Sequence, residues 1–148
     1  MLRPNSSEVI SAIRAFRAVV EQGSHEDYGT LIAATTKLLE TASRMKGEAV
    51  DGDVVERPDR SASEDHRIVQ AKFAHLHTNH ADDITAEEWT IMPLNDLGDL
   101  YHDICVVDDL FLDGFEADAR WQFRFGFENH WGEHALSLIG YLLRSYRF

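Results

Sequence analysis

The feature that most constrains the fold is the spacing of large apolar residues in the last third of the chain. Apolar side chains recur there at helical steps of four, four, four, three and four, at Phe123, Phe127, Trp131, Ala135, Leu138 and Leu142. The segment 121–127 also alternates aromatic with polar residues, as a half-buried strand does. No other segment alternates convincingly, and an unpaired strand leaves backbone groups unsatisfied. We therefore predict helix throughout 116–146, with a bend near Gly126 or Gly132.

The first 46 residues predict two neighbouring antiparallel helices joined by a short connection. Ser6 or Ser7 is expected to cap the first helix, because a serine oxygen accepts from an unpaired backbone N–H of the first turn. Gly23 is expected to end it. The polar, unpatterned segment 47–63 then predicts a long surface loop.

Two further helices are predicted in the middle of the chain. Ser61 and Glu64 have the spacing of a capping box at the start of the third helix. Pro93 is expected to stop or start an element, and a strong helix is expected from Asn95 to about Leu112. These elements together predict an all-α, single-domain helical bundle of about five helices with a long C-terminal helix.

The length and cysteine content favour one cytoplasmic domain. The chain of 148 residues has the usual size of a single domain, so we expect residues 1–148 to form one. Its one cysteine, Cys105, excludes a disulfide within the chain and favours a reducing compartment. The first residues lack the basic and apolar regions of a signal peptide, and no apolar run reaches the roughly 18–20 residues that span a bilayer.

The net charge of −12 argues against two kinds of partner. Residues 1–50 carry six acidic and six basic side chains, so the whole net charge falls in 51–148. Nucleic-acid binders need clustered lysine and arginine, and this field repels phosphate. We therefore expect no nucleic-acid and no membrane partner. The acidity serves solubility, or attracts a basic partner or a cation. Aromatic residues crowd the last third, which leaves a protein partner or a homo-oligomer open.

The string His130-Trp131-Gly132-Glu133-His134 is the first candidate for a metal site. It has the H-x-x-E-H order of inverted zincin metallopeptidases. Two histidines at i and i+4 of a helix point the same way and can share a zinc ion, with Glu133 as a base on the bound water. Gly132 weakens the helix, and only fourteen residues remain for a third ligand. The alternative is that Trp131 lies in the core, with His130, Glu133 and His134 at its solvated rim.

A second candidate lies on the preceding helix. Asp99, His102 and Asp103 are at i, i+3 and i+4, so they share one face. If that face meets His130 and His134 across the bundle, a carboxylate–imidazole site for a divalent metal results, although the ligand set of a ferritin-like bundle is incomplete. The alternative is that Asp99 and Asp103 pair with Arg120 or Arg124, or cap backbone groups.

Nucleophilic and nucleotide-dependent chemistry find little support. Cys105 follows Ile104 in an apolar helix, where cysteine usually behaves as a small inert hydrophobe. Neither a Gly-x-Ser-x-Gly motif nor a phosphate-binding glycine-rich loop occurs. We predict no organic cofactor.

Two segments resemble a known bacterial family. The segment 96–104, Asp-Leu-Gly-Asp-Leu-Tyr-His-Asp-Ile, is similar to its Leu-Ala-Asp-Ile-Tyr-x-Asp-Leu signature. The segment 120–135 resembles its closing Trp-x-x-x-Phe-x-Phe-Glu-x-x-Trp-Gly helix. The family is the one called domain of unknown function 5063, and the similarity covers mainly residues 94–146. The resemblance implies an all-helical bundle of bacterial origin and brings no activity.

Two functions remain open at this stage. The first is a non-catalytic accessory or protein-interaction domain, favoured because no complete catalytic set appears. The second is a metal-binding protein or metal-dependent hydrolase that uses His130 and His134 with nearby carboxylates.

Overall fold

The described part of the chain is helical throughout. The computed structural model describes residues 2–23, 28–48, 59–77 and 86–145. Their six α-helices are α1 (Ser6–Gln22), α2 (Tyr28–Ser43), α3 (Ala62–Phe73), α4 (Ala86–Leu112), α5 (Glu116–Asn129) and α6 (Trp131–Ser145), and a 3₁₀ turn over Ala74–His77 extends α3. These residues contain no strand, which confirms the all-α prediction and the helical interpretation of 121–127.

Helix α4 lies at the centre of the bundle. It contacts α1, α3, α5 and α6, whereas α2 packs on α1, α5 and α6. Buried apolar residues from all six helices join in one core, and α4 contributes to it Leu97, Leu100, Tyr101, Ile104, Cys105, Val107 and Leu110. Phe111, near the end of α4, is only partly covered and packs against this core. Because α4 is central, its polar residues outside the core face can contact several neighbouring helices.

The helix caps follow the expected chemistry, with one correction. Asn5, rather than Ser6 or Ser7, caps α1, because its side chain accepts from the backbone N–H of Glu8 at 2.9 Å. Gly23 ends α1 in a left-handed conformation, with φ of 61°, as predicted. Ser61 caps α3 through the backbone N–H of Glu64, also as predicted.

The start of α4 differs from the prediction. The helix begins at Ala86 instead of Asn95 and continues through Pro93, which was expected to stop or start an element. Proline inside a helix removes one backbone hydrogen bond and costs about 3 kcal/mol. Pro93 is buried. Packing within the bundle therefore overrides the local preference, which the sequence pattern alone did not show.

The predicted long C-terminal helix is divided into α5 and α6. The break lies at His130, whose φ of −150° and ψ of −77° are not helical. The two glycines next to the break allow close approaches. A Cβ atom on Gly132 would lie 2.1 Å from the carbonyl oxygen of Phe127, and one on Gly126 would lie 2.6 Å from Cδ1 of Trp131. Trp131 is fully buried and donates from Nε1 to the carbonyl oxygen of Phe123 at 3.0 Å.

Two further predictions concern the loop 47–63 and the absence of a membrane-spanning helix. Most of the predicted loop 47–63 lies outside them, over 49–58, and α3 already begins at Ala62 within its range. Among the helices that are described, none combines the length and the apolar character that crossing a bilayer requires.

Candidate metal centre

A cluster of histidines and carboxylates lies where α4 meets α3 and the α5–α6 junction. Helix α4 contributes Asp96, Asp99 and Asp103, which fall on one face because they are three and seven residues apart. His130 stands at the junction, and His134 lies one turn into α6. Two residues of the predicted face, Asp99 and Asp103, thus meet the predicted histidine pair, whereas the third, His102, contacts Asp65 on α3.

Three side chains converge at the centre of this cluster. Asp99, His130 and His134 each offer one ligand atom, and these three atoms lie within 4.8 Å of one another. The imidazole rings of His130 and His134 meet edge to face, with centroids 4.8 Å apart. We call these three residues the triad. Two imidazoles and one carboxylate are a common ligand set for zinc and iron.

Each histidine of the triad is held through its Nδ1 atom. His134 Nδ1 donates to Asp96 Oδ1 at 2.7 Å, and His130 Nδ1 donates to Asp103 Oδ2 at 2.5 Å. Metal-binding histidines almost always use their second nitrogen in this way, because the hydrogen bond fixes both the tautomer and the ring orientation. Nε2 of each ring is therefore the atom left for an ion.

Asp99 is held by its own neighbours. His66 Nε2 on α3 donates to Asp99 Oδ1 at 2.9 Å, and Asn95 Nδ2 donates to Asp99 Oδ2 at 3.2 Å. His134 Nε2 also lies 3.2 Å from Asp99 Oδ2. His66 fits against α4 only because residue 98 is glycine, since a Cβ atom there would lie 2.3 Å from the ring.

The triad must contract slightly to bind an ion. Ligand atoms at 2.0–2.2 Å from a tetrahedral or octahedral ion lie roughly 3–3.6 Å from one another. The separation of up to 4.8 Å is larger than this, so binding of an ion requires the three side chains to move closer together. His130 is the most exposed of the three, with 52% of its side chain exposed, so little packing opposes a small shift of its ring.

The remaining predicted residues take other positions. Glu133 is exposed on α6 and is not among the three converging ligands. His130 and His134 do not share one continuous helix, so the arrangement differs from that of an inverted zincin. The predicted pairing of Asp99 and Asp103 with Arg120 or Arg124 is wrong. Arg120 instead binds Glu48 and the carbonyl oxygen of Pro4, and Arg124 binds Glu128 and the carbonyl oxygen of Ala42.

His102 belongs to a second group, next to the triad. Its Nδ1 donates to Asp65 Oδ2 at 2.8 Å, and Arg60 donates to both oxygens of Asp65, at 2.7 and 2.9 Å. Arg60 also reaches Asp109 at 3.2 Å. Burial alone would raise the pKa of the Asp65 carboxyl, but the hydrogen bonds from Arg60 and His102 hold that pKa below its ordinary value. Asp65 is therefore a buried carboxylate that fixes the His102 ring.

Three residues of this region have roles that the sequence did not predict. They are His66, Asp96 and Asp65, which hold Asp99, His134 and His102 respectively. Asp96 had a local signal, because it lies three residues before Asp99 on the same helix. His66 and Asp65 had none, since their role depends on how α3 packs against α4.

A cleft of about 380 Å³ opens beside the triad. The residues that line it come from α3, α4, α5 and the junction, and they are Ala62, Asp99, His102, Asp103, Gln122, Phe125, Gly126 and His130. Two members of the triad therefore border a space large enough for a small molecule.

Cys105 is not part of this chemistry. It is completely buried on α4, and burial raises the pKa of its thiol to about 12. A thiol in that state is a poor nucleophile and a poor metal ligand. The structure therefore agrees with its interpretation as a small hydrophobic residue.

The comparisons with known proteins add no assignment. No protein-family model matches the chain, and neither a curated protein nor a solved structure matches it.

Acid is expected to remove the stabilisation that Asp65 provides. Its folded pKa lies below its ordinary value of 3.8, so its stabilising contribution is fully present above that value and is lost as the pH falls through the lowered pKa. Urea denaturation of wild type and Asp65→Asn should therefore show a difference in free energy of unfolding that shrinks between about pH 5 and about pH 2. The exposed Asp113→Asn variant should show no such convergence. A constant Asp65→Asn difference over this range would contradict the assignment.

Proposed function

We propose that this protein binds one divalent transition-metal ion through Asp99, His130 and His134. The observation that carries the proposal is that every member of the triad is held by another side chain. Each histidine is held through Nδ1, which leaves Nε2 for the ion, and Asp99 is held by His66 and Asn95. In a metal site these partners are about as important as the ligands, because they keep the ligands in place before the ion arrives.

Charge and chemistry favour a cation at this point. The protein has a net charge of −12, and Asp96, Asp99 and Asp103 lie within the cluster itself. Without an ion, the ring of His134 lies between the carboxylates of Asp96 and Asp99. An ion at Nε2 takes the place of the proton on that side. Imidazole and carboxylate ligands together suit zinc, iron, nickel or manganese.

The number of ligands favours a reactive site over a structural one. Structural zinc sites have four protein ligands, whereas catalytic sites have three and leave a position for water or substrate. The triad supplies three, and two of its members line the cleft. The arrangement therefore favours a metal-dependent catalytic activity over a purely structural metal site.

Elemental analysis tests the proposal. Protein purified without a histidine tag, after metal supplementation and removal of loose ions, should retain about one equivalent of zinc, iron, nickel or manganese. His134→Ala should retain less than about a tenth of that amount, because two of three ligands bind far more weakly. Asp113→Asn, with an exposed carboxylate away from the cluster, is the matched control and should bind as wild type does. Less than a tenth of an equivalent in the wild type, or full occupancy in His134→Ala, would overturn the proposal.

A second candidate function is protein interaction, and one observation favours it. Leu136 and Leu143 lie on one face of α6 and are 63% and 55% exposed, with Gly140 between them. Exposed apolar residues in a stripe are typical of contact surfaces. If this face binds a second copy, analytical ultracentrifugation should show a dimer in the wild type and a monomer in Leu136→Glu/Leu143→Glu. A wild type that is monomeric at high concentration would exclude self-association.

The wider expectations stay predictions. They are the resemblance to domain of unknown function 5063, the bacterial origin, the single-domain organisation and the cytoplasmic location.

A further inference from the structure

The Asp65–His102 pair is built into one wall of the cleft beside the triad. Asp65 has a side chain only 3% exposed and is held by two hydrogen bonds from Arg60. His102 donates from Nδ1 to this fixed carboxylate, and its ring lines the cleft together with Asp99 and His130. Since Nδ1 already donates to Asp65, Nε2 is the nitrogen that can bond to a molecule in the cleft.

This arrangement has the parts of a proton-transfer group. A buried carboxylate at Nδ1 selects the imidazole tautomer with a free Nε2 and stabilises the positive ring that forms when Nε2 takes a proton. A purely structural link between α3 and α4 does not require His102 to border an open space next to a candidate metal ligand. His102 links α3 to α4 through Asp65 and also borders the cleft.

The lining of the cleft restricts what it accepts. Among the described residues, the lining includes Asp99 and Asp103 but neither lysine nor arginine. Phosphate esters and other anions are repelled by such a surface. Phe125 contributes an aromatic face, held by stacking on Trp121 with ring centroids 4.6 Å apart, and Gln122 contributes an amide. The volume of about 380 Å³ is near the small end of ligand sites. A small uncharged molecule with a carbonyl group fits these properties.

We infer that the cleft is a hydrolytic active site for small uncharged acyl compounds, in which His102 accepts the proton of the attacking water. The inference rests on the proposed metal site, which would polarise the carbonyl or the water. In the reaction, the water oxygen forms a bond to the acyl carbon, and its proton passes to Nε2 of His102. The bond from the acyl carbon to the leaving oxygen or nitrogen then breaks, and His102 returns the proton to the leaving group or to solvent. No redox change occurs.

The test uses p-nitrophenyl acetate as the probe and the full-length protein loaded with zinc. Zinc content is measured on the same samples, and the zinc-dependent rate is the difference from metal-free protein. We expect zinc-dependent release of p-nitrophenolate from the wild type, and a loss of about 100-fold or more in His102→Ala with one equivalent of zinc retained. Added imidazole should restore part of the rate in His102→Ala but not in His134→Ala, which lacks a ligand. Asp113→Asn should match the wild type.

A second variant separates proton transfer from a structural role. His102→Gln keeps an amide that can donate to Asp65 but cannot carry the proton, so it should hold zinc, fold as the wild type does and be as inactive as His102→Ala. Wild-type rates in either variant would overturn the role of His102, and so would loss of zinc from both. Bound zinc with no zinc-dependent hydrolysis in the wild type would overturn this inference alone. A wild type that binds no metal would overturn the proposed function, and the inference with it.

Discussion

Adding a single methyl group at Gly132 is expected to lower the free energy of unfolding by about 3 kcal/mol. A Cβ atom there would lie 2.1 Å from the carbonyl oxygen of Phe127, which precedes the helix break at His130. Both atoms are fixed to the backbone, so neither can rotate away. Helices α5 and α6 must therefore separate, which disturbs the packing around the buried Trp131. Urea denaturation followed by circular dichroism measures the change.

Gly140→Ala is the matched control for this prediction. Gly140 lies on the same helix, and a Cβ atom there would meet nothing within 4 Å. Alanine is favoured over glycine inside a helix, so this variant should be more stable than wild type by about 0.5–1 kcal/mol. Both substitutions replace glycine with alanine, but their changes in the free energy of unfolding should have opposite signs. A Gly132→Ala variant as stable as Gly140→Ala would show that α6 does not approach Phe127 this closely.

Removing the charge of Asp103 or Asp96 while keeping its shape is expected to weaken metal binding about 10- to 100-fold. Neither residue is one of the three ligands. Each accepts the Nδ1 hydrogen bond that orients a ligand, His130 for Asp103 and His134 for Asp96. In Asp103→Asn and Asp96→Asn, the weaker acceptor leaves the ring freer to turn and less basic at Nε2. Competition with a chromophoric chelator gives the dissociation constants.

The control for these variants again has an exposed carboxylate. Asp113→Asn makes the same chemical change outside the cluster and should keep the wild-type dissociation constant. The thermal unfolding of all three variants should first be compared without metal, so that a loss of folding is not mistaken for a loss of affinity. Wild-type affinity in both Asp96→Asn and Asp103→Asn would show that the Nδ1 hydrogen bonds do not prepare the site.

The helical class was predictable because apolar spacing is a local property. Trp131, Leu138 and Leu142 were expected on one buried stripe, and all three are fully buried. The strand alternative for 121–127 fails for the reason that sequence analysis offered, since the described residues provide no partner strand. For 121–127, which fits both periods, periodicity did not decide the type of element, and the need of a strand for backbone partners did.

The ends of the helices were less predictable because packing decides them. Continuation of α4 through Pro93 opposes local preference, and the break at His130 brings Gly132 close to the backbone of Phe127. From the sequence, Gly132 is expected to lower the stability of one long helix. In the structure, it is the residue that allows two helices to meet at a tight junction.

The candidate site was predictable only within each element. Helical geometry placed Asp99, His102 and Asp103 on one face and paired His130 with His134. Their meeting depends on how α4 packs against the α5–α6 junction, which no local pattern encodes. The pairing with arginine failed for the same reason, because Arg120 and Arg124 reach the ends of α1 and α2 instead. His66 and Asp65 required the position of a third helix.

The distance along the chain between Asp99 and His134 has a thermodynamic consequence. These ligands are 35 residues apart in the sequence, so the unfolded chain does not present them together. An ion that binds only the folded chain shifts the folding equilibrium by mass action, by about 2.7 kcal/mol at a free concentration one hundred times its dissociation constant. The supply of metal in the surroundings would then help to set how much of this protein is folded, whatever reaction the ion goes on to assist.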